Sequence, residues 1–488
     1  MPDSQQQLSR YEPAWESLQR YTIPQWFKDA RLGIFIHWGI YSVPAFDNEW
    51  YSRNMYLRDH PAYKHHQEKW GHQSQFGYKD FIPMFTAEKF DPDAWAALFK
   101  KAGARYVVPV AEHHDGFAMY DTALSEWNAA KMGPERDVIG ELASAIRSQD
   151  MVFGLSSHRA EHWWFFNGGR EFDSDVNDRR FDGLYGPAVQ CEASKDHGAE
   201  AWRGRDWTPR PHAIFMDDWL ARCCELVDKY QPQLIYFDWW IEQIIFQPYL
   251  QKFAAHYYNR GLEWNRGVVI NHKFDTFPPG TTVYDLERGK MTGVREEHWQ
   301  GDTSVSYRSW CYLEDDDFKS PTTIIHDLVD NVSKNGNLLL NIGPKPDGTI
   351  PDEVVNILTE LGAWLDINGE AIYESLPWHT HGEGNAKLGI GHLQEKGTEP
   401  FTAEDIRFTT KDGALYAICP DWSEDSAKIK SLGGASRVTG DMIEHIQMLG
   451  SEEPLSWSQD SEKLEISMPS QKPCKHAYTF KITLKGKG

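Results

Sequence analysis

The chain has 488 residues, 40% hydrophobic and 25% charged, with a formal net charge of −22. That length exceeds one average domain, and so acidic a balance argues against a nucleic-acid partner, which needs a basic surface. No apolar run approaches the roughly 18 residues of a spanning helix, so no membrane partner is expected.

The predicted elements alternate. A first apolar run, RLGIFIHWGI (31–40), reads as a strand. DPDAWAALFKKAGA (91–104) follows as a helix opened by an Asp cap, with apolar residues at helical spacing. Next come the strand RYVVPVAEHH (105–114), the helix DVIGELASAIRSQD (137–150) and the strand MVFGLSSHRAEHW (151–163). Residues 165–213 form a polar, Gly- and Arg-rich insert that reads as a long loop near a site. The helix IFMDDWLARCCELVDKY (214–230) and the strands LIYFDWW (234–240), GVVINHKF (267–274) and TVYDLERG (282–289) continue the alternation. TTIIHDLVDNVSKNG (322–336) is a helix whose final Gly suits a C-cap. It leads into the strand NLLLNIGP (337–344) and the helical segment EVVNILTELGAWLDINGEAIYES (353–375). Near-continuous apolar strands alternating with helices predict a parallel sheet closed as a (β/α)8-type barrel over residues 1–375. From 376 to 488 the pattern changes to short alternating runs such as DIRFTTKDGALYAICP, which predict a C-terminal antiparallel β-sandwich.

The strand ends carry chemically capable residues: His37, His113 with His114, His158, Asp238, Asn271 with Lys273, Glu287 and Asn341. Barrel enzymes build their sites on that face. Asp238, an acid after four apolar residues, sits at the barrel mouth; capping the next helix is its structural alternative. Glu287 ends a later strand, with an exposed pair to Arg288 as its alternative. Together they make a carboxylate pair on one face, and such a pair about 5–5.5 Å apart serves as nucleophile and acid/base in a retaining glycosidase. No metal site is expected. The sequence has no HExxH, DVNDRRFDG (175–183) puts Arg where a calcium loop needs oxygen ligands, and His60, His65, His66 and His72 read as a solvated loop. No other cofactor is implied. The 21 tryptophans fit core filling and sugar platforms alike. The N-terminus, MPDSQQQLSRYEPAWESL, lacks an apolar h-region, and the six cysteines are scattered, so a cytoplasmic protein with reduced thiols is expected. The sequon Asn331-Val332-Ser333 falls in a predicted helix and carries no weight.

Several motifs occur in a shared order. WFKDARLGIFIHWGIYSVPAFDNEWY, YVVPVAEHHDGFAMYDTALSEWN, LIYFDWW and NGNLLLNIGPKPDGTIP resemble the strand blocks of glycoside hydrolase family 29 α-L-fucosidases, from Trp26 to the C-terminal sandwich. The resemblance implies an exo-acting, retaining α-L-fucosidase that takes fucosylated oligosaccharides or glycosides. It places Asp238 as nucleophile, with His37, His113 and His114 on the fucose hydroxyls and Glu49 and Trp50 lining the pocket. Tyr236 stands in the nucleophile strand and is placed with the substrate-binding residues. Lys273 falls where some relatives carry Arg, and Trp310 falls where an aromatic packs on the fucose methyl. Ser156-Ser157-His158 departs from the Tyr-Tyr-Ser-like stretch of many relatives, so His158 takes over a polar contact or the subsite differs. Glu287 is the acid/base by strand-end position, with Glu296 and Glu297 in reserve. Three other readings stay open: a metal-dependent barrel hydrolase, a carbohydrate-binding protein on a decayed barrel, and the same fold acting on an α-galactoside. Homo-oligomerisation is compatible with the sequence.

Overall fold

The computed structural model describes residues 10–191, 208–434 and 436–486. Eight parallel strands close a barrel in chain order: β1 (Leu32–Ile36), β2 (Tyr106–Glu112), β3 (Val152–Ser157), β4 (Leu234–Phe237), β5 (Val269–His272), β6 (Val283–Glu287), β7 (Trp299–Ser304) and β8 (Gly336–Ile342). Closure is made by β1, which pairs with β2 on one side and β8 on the other. Every residue of β1, β2, β4, β5 and β8 is buried, as strands covered on both faces must be.

The crossover helices start where the caps dictate. Asp91 accepts from the Ala94 amide at 3.0 Å and Asp137 from the Gly140 amide at 3.0 Å, opening helices Pro92–Lys101 and Val138–Ser148. Ser320 does the same for Pro321–Ser333, accepting from Thr323 at 3.1 Å. The helix faces carrying Trp95, Ala96 and Phe99, and Ile139, Leu142 and Ile146, are buried against the barrel.

Four expectations need correction. The barrel has an eighth strand, β7, whose sequence WQGDTS contains no apolar run. Its side chains Gln300, Asp302 and Ser304 are bonded to Tyr106, Tyr236 and Asn341, so polar pairing replaces hydrophobic burial there. The run 151–163 is strand only to Ser157; Arg159–Trp163 turn as a 3-10 helix. Gly336 does not cap the preceding helix but opens β8, where a Cβ would lie 2.5 Å from the Trp299 ring. Asn335, at φ 71°, takes the left-handed position instead. The histidine-rich segment is not a loop: it contains the helix Pro61–Trp70, capped by His60, with His66 buried and bonded to the Phe76 carbonyl at 2.8 Å.

The insert after β3 packs Trp163, Trp164, Phe165 and Phe166 into the core, and its residues 192–207 lie outside the described residues. Asn331 of the sequon is buried inside its helix. Cys223, Cys224, Cys311, Cys419 and Cys474 are free thiols. Among the described residues, no helix is long and apolar enough to cross a membrane.

The C-terminal part stacks two antiparallel sheets. Strands β9 (Leu376–Gly382), β10 (Arg407–Lys411), β11 (Ala414–Cys419), β13 (Ile443–Met448) and β16 (Tyr478–Leu484) form one, in the order β13-β16-β11-β10-β9. Strands β12 (Ser426–Ile429), β14 (Trp457–Gln459) and β15 (Leu464–Ser467) form the other. Phe408, Leu415, Ile429, Ile466 and Phe480 fill the space between them.

A buried ionic triad joins this unit to the barrel. Asp330 accepts from Lys334 at 2.7 Å and from Arg407 of β10 at 2.8 Å, and all three side chains are buried. Burial pushes the Asp330 carboxyl up, but Lys334 and Arg407 outweigh it and hold it well below the usual carboxylate range. Removing the anion strands two buried cations, so Asp330→Ala should lower unfolding stability by about 3–5 kcal/mol, read by urea titration. A loss below about 1 kcal/mol, the value of an exposed pair, would contradict this.

Candidate active site

The C-terminal ends of the strands converge on a narrow cavity lined by fourteen residues, among them His37, Glu49, Trp50, His113, His114, His158, Tyr236, Asp238, Lys273, Glu287 and Trp310. Every site residue expected from the sequence therefore meets in one place, except the reserves. Glu296 and Glu297 precede β7, are exposed, and line a different cavity with Tyr21, Gln25 and Arg31 at the opposite mouth of the barrel. Three lining residues were missed: Phe35, Trp239 and Asp302. Trp239 follows Asp238 in an evident motif, whereas Asp302 lies on the strand that was not foreseen.

At the centre, Lys273 binds two acids. Just after β5, its Nζ donates to Asp238 Oδ1 at 2.8 Å and to Glu287 Oε2 at 2.5 Å. Those two oxygens are thus no further apart than both bonds laid end to end, which excludes for them the wider spacing of an inverting pair. Asp238 also accepts from the Trp239 amide at 2.9 Å and is bonded through Oδ2 to His158 Nδ1 at 2.8 Å, with His114 Nε2 at 3.6 Å.

The environments separate the acids. Burial raises the Asp238 carboxyl, but Lys273, His158 and His114 overcome it and leave Asp238 well below the usual range. Burial also raises Glu287; Lys273 pulls down, while Asp302 and Asp238 push up, and the outcome is about 7. At neutral pH one acid is an anion and its neighbour is half protonated. Such splitting marks acid/base division of labour.

The histidines are fixed by the strands around them. His37 Nδ1 meets Asn341 Oδ1 of β8 at 2.7 Å. His114 Nδ1 donates to the His158 carbonyl at 2.9 Å, which leaves Nε2 bare on the Asp238 side. Burial lowers His37 and His113 well below the ordinary imidazole value and His114 to about 3, so these three rings are neutral in the working range. His113 Nδ1 is buried without a protein partner.

Glu49 is anchored by the Trp310 amide at 3.0 Å and Ser309 Oγ at 3.1 Å. Asn341 Nδ2 holds the Trp310 carbonyl at 2.6 Å, and Arg288 stacks on the indole at 4.6 Å. Tyr236 turns its hydroxyl away from Asp238, donating to Asp302 at 2.9 Å. Its ring, not its hydroxyl, faces Lys273, at 5.5 Å.

Beyond Trp50, Trp239 and Trp310 the pocket widens into a second cavity of about 800 Å³ that also reaches Leu57, Arg58, His60, Phe274, His392 and Leu393. Two triads, His37–His113–His158 and His114–His158–Asp238, have ligand atoms within 4.8 Å of one another. Both use His158, whose nitrogens are already bonded to Asp238 and to Ser156 Oγ at 3.0 Å.

Known proteins share this architecture throughout. The α-L-fucosidase family model matches residues 1–370, and the α-L-fucosidase C-terminal domain matches residues 399–483. The chain belongs to the α-L-fucosidase family. It is a glycoside hydrolase. Rat tissue α-L-fucosidase is 32% identical over 97% of this chain and 92% of the rat protein, and the human tissue enzyme is 32% identical at the same coverages. Thermotoga maritima α-fucosidase, solved with a mechanism-based inhibitor, superposes with a TM-score of 0.75 at 30% identity, covering 97% of this chain and all of that one. The same enzyme in complex with fucose gives 0.74.

In this α-L-fucosidase family member, Lys273 draws both carboxylates toward ionisation, so its removal should raise both. In Lys273→Met, carbon-13 NMR of the labelled carboxylates should show Glu287 titrating above its midpoint of about 7 and Asp238 moving up from below the usual range. Unchanged midpoints would show that the ammonium does not set the split.

Proposed function

We propose that the chain is an exo-acting, retaining α-L-fucosidase working by double displacement. The observation that carries this is the Lys273-bridged pair: an ionised Asp238 and a Glu287 poised at about 7, held side by side by one ammonium at the base of the pocket.

In the first step an Asp238 oxygen attacks the anomeric carbon of a terminal fucoside. The glycosidic C–O bond breaks, and the proton on Glu287 passes to the departing oxygen. Lys273 engages Glu287 through Oε2, so Oε1 is the oxygen that carries the proton. In the second step water attacks the fucosyl ester, Glu287 takes its proton, and Asp238 leaves as carboxylate. Neutral His37, His113 and His114 bind the sugar hydroxyls, His158 holds Asp238, and Trp310 packs on the methyl. The outer cavity receives the rest of a fucosylated oligosaccharide or glycoside. An apolar wall at the methyl disfavours galactosides by only about 1–3 kcal/mol, so weak α-galactoside turnover is compatible with this site. The catalytic unit on this reading is residues 1–375, with the sandwich at 376–488.

Asp238→Gly should abolish turnover of an aryl α-L-fucoside, and azide should restore it with β-L-fucosyl azide as product. Near-normal activity without azide would remove Asp238 from the role. The protonated form of Glu287 is the active one in the first step, so kcat/KM should fall as pH rises through about 7. Glu287→Ala should lose that limb and spare good leaving groups.

A further inference from the structure

The segment after β9 does not stay with the C-terminal sheets. Residues 389–395 return to the barrel and run beside the end of β6. Lys290 N bonds to Gly389 O at 2.9 Å, Gly391 N to Lys290 O at 3.1 Å, Leu393 N to Glu287 O at 2.8 Å and Glu395 N to Arg288 O at 2.8 Å. The strap therefore pairs with the backbone of Glu287 and of the residues that follow it.

Side chains extend the clasp. The Glu287 amide donates to His392 Nδ1 at 3.1 Å, so that nitrogen is bare and the ring carries its proton on Nε2, 2.8 Å from Tyr284 Oη. Glu395 is bonded to Arg288 at 2.6 Å, to Thr303 at 2.6 Å and to Lys319 at 2.7 Å. Arg288 itself stands at φ 43°, a conformation that costs a non-glycine residue and persists where its surroundings hold it. Gly289 shows how closely the strap lies: a Cβ there would meet the Gly391 carbonyl oxygen at 1.8 Å.

We propose that this strap from the C-terminal part positions the acid/base, with His392 as the positioning residue for Glu287. The inference rests on the assignment of Glu287 as acid/base. His392 touches no reacting atom. It fixes the backbone from which the carboxyl projects, and the strap fixes the reversed turn that follows.

The test uses the full-length enzyme and a series of aryl and alkyl α-L-fucosides of graded leaving-group pKa, with Glu287→Ala as reference. A positioning role predicts that His392→Phe steepens the dependence of kcat/KM on leaving-group pKa. The loss should be about 10-fold or more greater for the poorest leaving groups than for activated aryl fucosides, a fraction of what a general acid supplies. Gly289→Ala, which displaces the strap without touching His392, should steepen it likewise. His392→Asn places an acceptor oxygen where Nδ1 stood and should recover most of the loss. A steep line for Glu287→Ala with lines parallel to wild type for both His392→Phe and Gly289→Ala would overturn the strap alone. A line for Glu287→Ala parallel to wild type would overturn the acid/base assignment and this inference with it.

Discussion

One ammonium group holds the site in its working state. Lys273 is buried, and a buried cation is costly unless paired. Here it is paired twice. Two carboxylates on a shared site without a cation would repel until one held a proton tightly. With the cation between them, Asp238 stays ionised and Glu287 stays near the middle of its titration. The arrangement is a product of strand order. Asp238 follows β4, Glu287 ends β6, and Lys273 follows β5 between them; pairing of Tyr236 with Asn271, and of Asn271 with Val283, fixes the stagger. A one-residue slip in either ladder would turn the acids away from the cation.

The walls depend on barrel closure in the same way. Asn341 of β8 reaches across to His37 beyond β1 and to the Trp310 carbonyl, so one amide orients a polar wall and an aromatic one. His158 binds Asp238 with its ring and fixes His114 with its carbonyl. Neutral rings suit such a wall, since each can donate with one nitrogen and accept with the other.

Most of this was readable because it obeys simple rules. Seven strands announce themselves as apolar runs, and Asp238, Glu287 and the histidines stand out as polar residues where such runs stop. β7 was not readable because it breaks the rule: Gln300, Asp302 and Ser304 face polar partners inside the barrel. Without the start of β7 at Trp299, nothing in the sequence tells which mouth of the barrel Glu296 and Glu297 occupy, so they remained alternatives to Glu287. His392 was invisible for another reason. It meets Glu287 across 105 residues, and no local pattern encodes a contact of that range.

The strap also accounts for how the two parts of the chain cooperate. The Asp330–Lys334–Arg407 triad docks the second unit against the barrel, and from that anchored position residues 389–395 reach the catalytic face. A strand end in a barrel is held by its neighbours only as far as the ladder extends. Glu287 is the last residue of β6 and pairs with Asp302, and the next residue already departs from regular geometry at Arg288. Backbone beyond that point needs support from elsewhere to keep a carboxyl placed to the tolerance that proton transfer demands. Four backbone hydrogen bonds and the Glu395 cluster supply it, and they come from the segment that leads out of β9. On this view the C-terminal unit is part of the catalytic apparatus, because the chain returns from it to brace the one carboxyl whose protonation must change twice per turnover.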